Sequence, residues 1–330
     1  MEKNFLKILV CPKCKSELSL KIQLVDKEEV ISGFLLCSNC KRVYPIINSI
    51  PRMLLDEFIV DERQRKTQKS FGYQWIQFSE MVIDFKENFL NYIYPVKEDF
   101  FKGKLGLDAG CGFGRHIFNA ANFGAEMVGM DISKAIDSSY KNTRHLPNIH
   151  LVQGDIYNPP FRESTFDFVY SIGVLHHLPA PENGFKSLVS LVKEHGSIFI
   201  WVYSNRRKFI NLLLEAVRNI AHRLPHGLLK YICFVISIVD YSLFIFPYKI
   251  MSKIPLFNKF IRKIYFQRIV LYAKYPFQVC FADWFDRLAP PIRYYYDDKD
   301  MKIWLDEVQL RNQAISPTGL YGWRAYGEKR

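Results

Sequence analysis

Four cysteines stand in two matched pairs near the start of the chain: Cys11-Pro12-Lys13-Cys14 and Cys37-Ser38-Asn39-Cys40, with 22 residues between Cys14 and Cys37. A CxxC knuckle turns tightly enough to aim two thiolates at one point, and two knuckles supply four soft ligands in a tetrahedron. The pattern predicts a structural Zn2+, because four thiolates leave no open position for a substrate. A chance pair of knuckles or a redox dithiol is the competing reading, and the matching of the pairs argues against it. Between them, residues 17–24 and 30–36 alternate or run apolar, as two short strands would. A module this small buries too little surface to fold unaided, so the metal supplies folding free energy. Cys111, Cys233 and Cys280 are scattered and read as ordinary thiols.

A second constellation begins at Lys104. Leu105-Gly106-Leu107-Asp108-Ala109 is a strand candidate, Gly110-Cys111-Gly112-Phe113-Gly114 follows, and residues 115–123 read as a helix. Strand, glycine loop and helix together give a glycine pattern its meaning. The spacing is GxGxG, whereas dinucleotide binders that seat a pyrophosphate on the helix N-terminus use GxGxxG. An acid ahead of the loop suits a ligand with an ammonium and a sulfonium better than a diphosphate. Residues 126–130 form a second strand closed by Asp131, placed to accept both ribose hydroxyls of an adenosine. Ser133 can cap the next helix. Further strands are expected at 149–153, ended by Gly154-Asp155-Ile156, at 166–171 and at 197–203. This alternation predicts a parallel, doubly wound sheet with ligand at the strand C-termini.

The stretches LDAGCGFGR (107–115), GMDIS (129–133), QGDIYNPPF (153–161), FDFVYSIGVLHHLP (166–179) and GSIFIWVY (196–203) resemble the class I S-adenosylmethionine-dependent methyltransferases, in order and spacing. The resemblance implies S-adenosyl-L-methionine as co-substrate. Asp108, Gly110, Gly112 and Gly114 would hold its methionine end and Asp131 its ribose. Asp155 would reach the adenine amino group, with Ile132 and Ile156 flanking the ring. For each acid alone, a helix cap or solvated turn is the plainer alternative. Residues 5–56, with KRVYPIINSIPRM after the second knuckle, resemble the small zinc-ribbon activator subunits of methyltransferases acting on tRNA and release factors. The implied fold is α/β: a Rossmann-like seven-stranded sheet, mostly parallel with an antiparallel last strand and helices on both faces, plus a small N-terminal zinc ribbon and a helical insertion. After a helix capped by Asp297 and running through Trp304, residues 308–315 and 319–326 would supply the last antiparallel pair.

Methyl transfer requires alignment of nucleophile, methyl and sulfur more than it requires a base. His176 and His177, just past the fourth strand, are the candidate catalytic residues, weighed against capping or packing roles. Arg115, Tyr203 and Tyr294, Tyr295 and Tyr296 are weaker acceptor-pocket candidates.

These parts divide the chain into a ribbon (1–56), N-terminal lid helices (57–103), a cofactor-binding core (104–204), a basic and apolar insertion (205–290) and a C-terminal segment (291–330). Phe71, Tyr73, Trp75 and Phe78 mark the lid, with plain core packing equally open. The 330 residues carry 49% apolar side chains, which excludes wholesale disorder. Their net charge is +12, and residues 201–275 hold 13 Lys/Arg against Glu215 and Asp240, so nearly all of the excess sits in one segment. Residues 1–10 have too short an apolar run for a signal peptide, which predicts a cytoplasmic, reducing environment.

Residues 228–248 are very apolar and flanked by basic side chains. Lys230 and Asp240 interrupt the window, and a central Asp costs about 3 kcal/mol on insertion scales, which argues against a full span. A helical hairpin lying peripherally in the interface of an anionic membrane is expected, against a solvated cap on the sheet. The resulting reading is methylation of a small-molecule or lipid-linked acceptor from the cytoplasmic membrane face. The second reading is an RNA methyltransferase whose ribbon and basic insertion bind tRNA or rRNA.

Overall fold

The computed structural model describes residues 1–55, 62–254 and 267–330. Four strands form an antiparallel N-terminal sheet in sequential order: β1 (Leu18–Asp26), β2 (Glu29–Cys37), β3 (Val43–Ile47) and β4 (Ile50–Pro51). The first two are those expected from the sequence. The second pair was hidden by Pro45 and Pro51, which cannot donate to a ladder and so read as loop. Two helices follow, α1 (Glu62–Gln77) and α2 (Lys86–Tyr92).

The main sheet has seven strands. β5 (Leu105–Ala109), β6 (Glu126–Asp131), β7 (Ile149–Gln153), β8 (Phe166–Ile172) and β9 (Val192–Tyr203) are parallel, and β10 (Arg311–Thr318) and β11 (Gly322–Glu328) add an antiparallel pair beside β9. The order is β10-β11-β9-β8-β5-β6-β7. Chain direction across the sheet reverses at β5, which places a ligand crevice at the strand C-termini there. The crossovers carry α3 (Arg115–Asn122), α4 (Ala135–Thr143) and α5 (Pro181–Leu191). β9 starts five residues before the expected 197, because Val192 already pairs with Phe166 ahead of a register shift. The last pair starts three residues later than expected, because Gly319 turns with φ +61° and ends β10 instead of opening β11.

Ribbon and sheet share one compact unit, residues 1–79, 85–207 and 292–330. Leu9 bridges Phe161, the Val10 amide donates to the Pro160 carbonyl at 2.9 Å, and Arg52 forms a parallel bridge with Gln153 on β7. The C-terminal end of the β7 edge is thereby paired through Gln153.

Residues 80–84 and 208–291 form a second unit. It comprises α6 (Lys208–Ala221), α7 (His226–Asp240), a π turn over Tyr241–Ile245, α8 (Phe246–Met251), α9 (Gln267–Tyr272) and α10 (Phe277–Leu288). Pro247 lacks an amide to continue the α-helical ladder, and the π turn just before it absorbs the mismatch. The expected hairpin is thus a cluster of helices. Asp240, read from the sequence as a charge interrupting an apolar window, instead points into this cluster. Its carboxylate accepts from Arg268 at 2.7 Å and from the Trp284 indole at 2.8 Å. Lys259, Arg262 and Lys263 of the basic block, and the ribbon boundary at residue 56, lie outside the described residues. After the second unit comes α11 (Asp298–Glu307), opened by a capping box between Asp297 and Asp300.

Candidate active site and metal centre

The four cysteine sulfurs lie within 4.8 Å of one another, with Cys11 to Cys40 at 3.6 Å and Cys14 to Cys37 at 3.4 Å. Ligands at about 2.3 Å from a tetrahedral zinc would be about 3.8 Å apart, so the donor set fits Zn2+ closely. Lys15 and Lys41, each one residue past a knuckle, take φ of 57° and 61°, the left-handed turn that swings both thiols of a pair to the same side. The Tyr44 hydroxyl lies 3.1 Å from Cys11 Sγ and supplies an outer contact to the ligand shell. Hydrogen bonds from Ser16 pull the Cys14 thiol down to about 5. An Arg42 amide also favours the Cys40 thiolate, but desolvation and the other three thiols push Cys40 up to about 11. Four thiol sulfurs gathered this closely repel one another as thiolates, and a divalent cation between them relieves that repulsion. Cys111, Cys233 and Cys280 are buried single thiols.

The second site is built where β5, β6 and β7, adjacent and parallel, each end near an acid: Asp108, Asp131 and Asp155. The loop between β5 and α3 crosses to β6, with the Gly110 and Cys111 amides both donating to the Met130 carbonyl. Gly110 has φ +92°, and a Cβ there would stand 2.3 Å from Val174, so only glycine fits. Gly112 (φ +55°) turns its amide onto Asp131 Oδ2 at 2.9 Å. Gly114 opens α3 in the same left-handed region. Asp131 Oδ1 also accepts the Ser133 amide at 2.8 Å and hydroxyl at 2.7 Å, and the Ser133 hydroxyl accepts the Ala135 amide at the start of α4.

Asp108 is buried beneath this loop, and its Oδ2 has no hydrogen bond among the described residues. Burial pushes its carboxyl up to about 8, with the Asp131 charge adding to the rise and the neighbouring Tyr170 hydroxyl and Arg115 opposing it. Burial likewise raises Asp131 and Asp155. Three desolvated acids close to a glycine loop favour a cationic ligand. The ammonium and sulfonium of S-adenosylmethionine are cations of that kind. Ile132 is partly exposed beside Asp131, and Ile156 is buried against Gly184.

Helix α1 stands over the loop. Gln68 donates to the Ile132 carbonyl at 2.7 Å, and Trp75 stacks on Phe113 at 4.8 Å with its indole nitrogen next to Gly112. Its aromatics are visible in the sequence as a group. Gln68 and Tyr170 carry no spacing signal and emerge only in three dimensions.

His176 is fully buried, with its ring 3.9 Å from that of Tyr203. His177 is buried too; its Nδ1–H donates to the Ile292 carbonyl, which leaves Nε2 as the acceptor nitrogen, and Phe71 lies edge-on at 4.9 Å. Arg115 sits over Trp75 at 5.7 Å, Tyr203 stacks on Tyr295, and Tyr294 is partly exposed.

Sheet order, glycine loop and strand-end acids define a class I S-adenosylmethionine-dependent methyltransferase fold. Residues 107–200 match the family described as a methyltransferase domain, and residues 2–49 the family of Trm112p-like proteins. The chain thus carries a methyltransferase domain with a Trm112p-like ribbon at its N-terminus. It is 31% identical over 119 residues to a tRNA U34 carboxymethyltransferase of Psychromonas ingrahamii, spanning 34% of each chain. It is 28% identical over 136 residues to a ubiquinone biosynthesis O-methyltransferase of Coxiella burnetii, 41% of this chain and 58% of that one. The matched stretch covers less than two thirds of either relative. Magnesium protoporphyrin IX methyltransferase of Synechocystis shares 12% identity over 82% of this chain and 99% of its own, at a TM-score of 0.47.

Proposed function

We propose that the chain transfers the methyl group of S-adenosylmethionine to a small or lipid-linked acceptor at the cytoplasmic face of a membrane. The observation that carries the transfer is the row of Asp108, Asp131 and Asp155 at the ends of three adjacent parallel strands, with the Gly110–Gly114 loop between the first two. When bound, the co-substrate supplies an electrophilic methyl on a sulfonium. Asp108 balances the cationic end, Asp131 accepts the ribose hydroxyls, and Asp155 faces the base. Trp75 and Gln68 exclude water from above. Positioning then supplies most of the rate, and no proton step is routed through His176 or His177.

The acceptor class rests on the insertion's apolar and basic character and on the ubiquinone-related enzyme among the relatives. An RNA acceptor is the second reading, favoured by the Trm112p-like ribbon and the tRNA-modifying relative. Methyl-labelled S-adenosylmethionine incubated with membrane, RNA and protein extracts separates the two. Label entering the organic-soluble membrane fraction is expected. Label entering only RNA overturns the lipid-linked acceptor, and label in no fraction overturns the transfer itself.

A further inference from the structure

The second unit has its own apolar core around Ile245, Tyr248, Ile269 and Cys280, yet some of its helices also turn apolar stripes outward. On α6, Phe209, Leu212, Leu213, Val217 and Ile220 recur at helical spacing on one stripe, and that stripe is exposed: Phe209 by 73%, Leu212 by 68% and Ile220 by 70%. The opposite stripe carries Asn211 and Arg218, and it is the buried one. The rod from α7 to α8 is apolar on both faces: Leu229, Cys233, Ile245 and Tyr248 face inward with Ser237 and Asp240, while Tyr231, Val235, Ile238, Val239 and Leu243 face outward. A helix of a soluble protein turns its polar side to water, and exposed apolar stripes of this length mark an apolar environment or partner.

The charges say which. Both acids of these helices are consumed internally: Glu215 by Arg218 at 3.0 Å, and Asp240 by Arg268. Lys208 and Lys249 lie on these helices and Arg223 and Lys253 just past their ends, so among the described residues the apolar stripes are flanked by positive charge. Apolar faces with a cationic rim match the acyl and headgroup layers of an anionic bilayer.

Chain topology fixes the mode. The rod His226–Met251 is 26 residues, about 39 Å at 1.5 Å per residue, long enough to cross a hydrocarbon core. The chain leaves the main sheet at Asn205 and returns at Tyr296, and the two are joined by a hydrogen bond from the Asn205 amide to the Tyr296 carbonyl at 2.9 Å. Both ends of the insertion are therefore on one side. A single crossing is forbidden, and among the described residues no second helix is long and apolar enough to return. We infer that the outward faces of α6 and of the α7–α8 rod dock monotopically into an anionic lipid bilayer, entering and leaving from the same leaflet. The docking gives the lipid-linked acceptor a place but does not depend on methyl transfer.

Co-sedimentation of the full chain with phosphatidylcholine vesicles, with and without phosphatidylglycerol, tests it. Strong binding to the anionic vesicles is expected, weakened at least about tenfold in Leu213→Glu/Ile220→Glu and only partly reversed by salt. Circular dichroism and zinc content check that this variant folds. Should it misfold, Leu213→Trp keeps the test open, since brominated acyl chains should quench its emission beyond that of the parent. Absence of sedimentation, equal binding by the charged variant, or no added quenching overturns the proposal. So does a self-association or an RNA complex that Leu213→Glu/Ile220→Glu abolishes while lipid binding is absent.

Discussion

The Gly112 amide donates to Asp131 Oδ2 across 2.9 Å, tying the glycine loop after β5 to the acid that ends β6. The carboxylate proposed to hold the ribose therefore also shapes the loop that approaches the methionine end. One residue couples the two halves of the cradle.

Asp131→Ala should lose the ribose contacts and loosen the loop at once. Hydrogen bonds to a charged acceptor contribute about 1.5–3 kcal/mol each, so affinity for S-adenosylmethionine should fall by on the order of a hundredfold or more. Asp131→Asn should retain part of it. Isothermal titration measures both, and unchanged affinity in the alanine variant would remove Asp131 from the site.

Cofactor affinity should depend on pH through Asp108. In the ligand-free chain its carboxyl is pushed up to about 8 by burial. A cationic ligand favours the carboxylate, so binding lowers that pKa and releases a proton below about pH 8. Affinity should then rise as pH climbs toward 8 and level off above it. Titrations in buffers of different ionisation enthalpy count the released proton; a pH-independent affinity between 6 and about 8 contradicts the assignment.

Chelation should unfold the ribbon first. Its sulfurs are arranged around a common point, and a module of this size depends on the metal for stability. Cys37→Ser should abolish stoichiometric zinc, measured by atomic absorption. It should also uncover the edge of β7 that Arg52 and Met53 now occupy, seen as aggregation on mild heating. A zinc-free chain that stays soluble and melts at the same temperature would argue against a structural metal.

Asp240 and Arg268 form a largely buried pair, their side chains 11% and 15% exposed. Removing one partner leaves a desolvated charge, and Arg268→Met should destabilise the second unit by about 3 kcal/mol. The double change Asp240→Leu/Arg268→Met should recover most of that loss. Urea unfolding of both variants is the check; equal losses in single and double variants would mean that the pair is not the cause.

Much of the first unit was legible in one dimension because its determinants are local. A CxxC knuckle is set by four consecutive residues, and a strand, GxGxG and helix run fixes where Asp108, Gly110, Gly112 and Gly114 must fall. Period and turn chemistry then carry the strands from β5 to β9 with errors at the ends alone. Elements whose hydrogen bonding depends on distant partners were less readable, as with β3 and β4, whose prolines disguise them, and the early start of β9, which Phe166 imposes.

What only the tertiary structure decided is which way side chains face and what stands beside them. Sequence alone establishes that Asp240 interrupts an apolar run; the arrival of Arg268 and Trp284 from other helices turns that interruption into an internal ion pair. It likewise establishes two histidines after β8, while their burial against Tyr203 and Phe71 removes them from contact with water. Charge, size and periodicity belong to the residue and its neighbours along the chain. Solvation, pKa and accessibility belong to whatever the fold brings within a few ångströms, and no spacing rule encodes that.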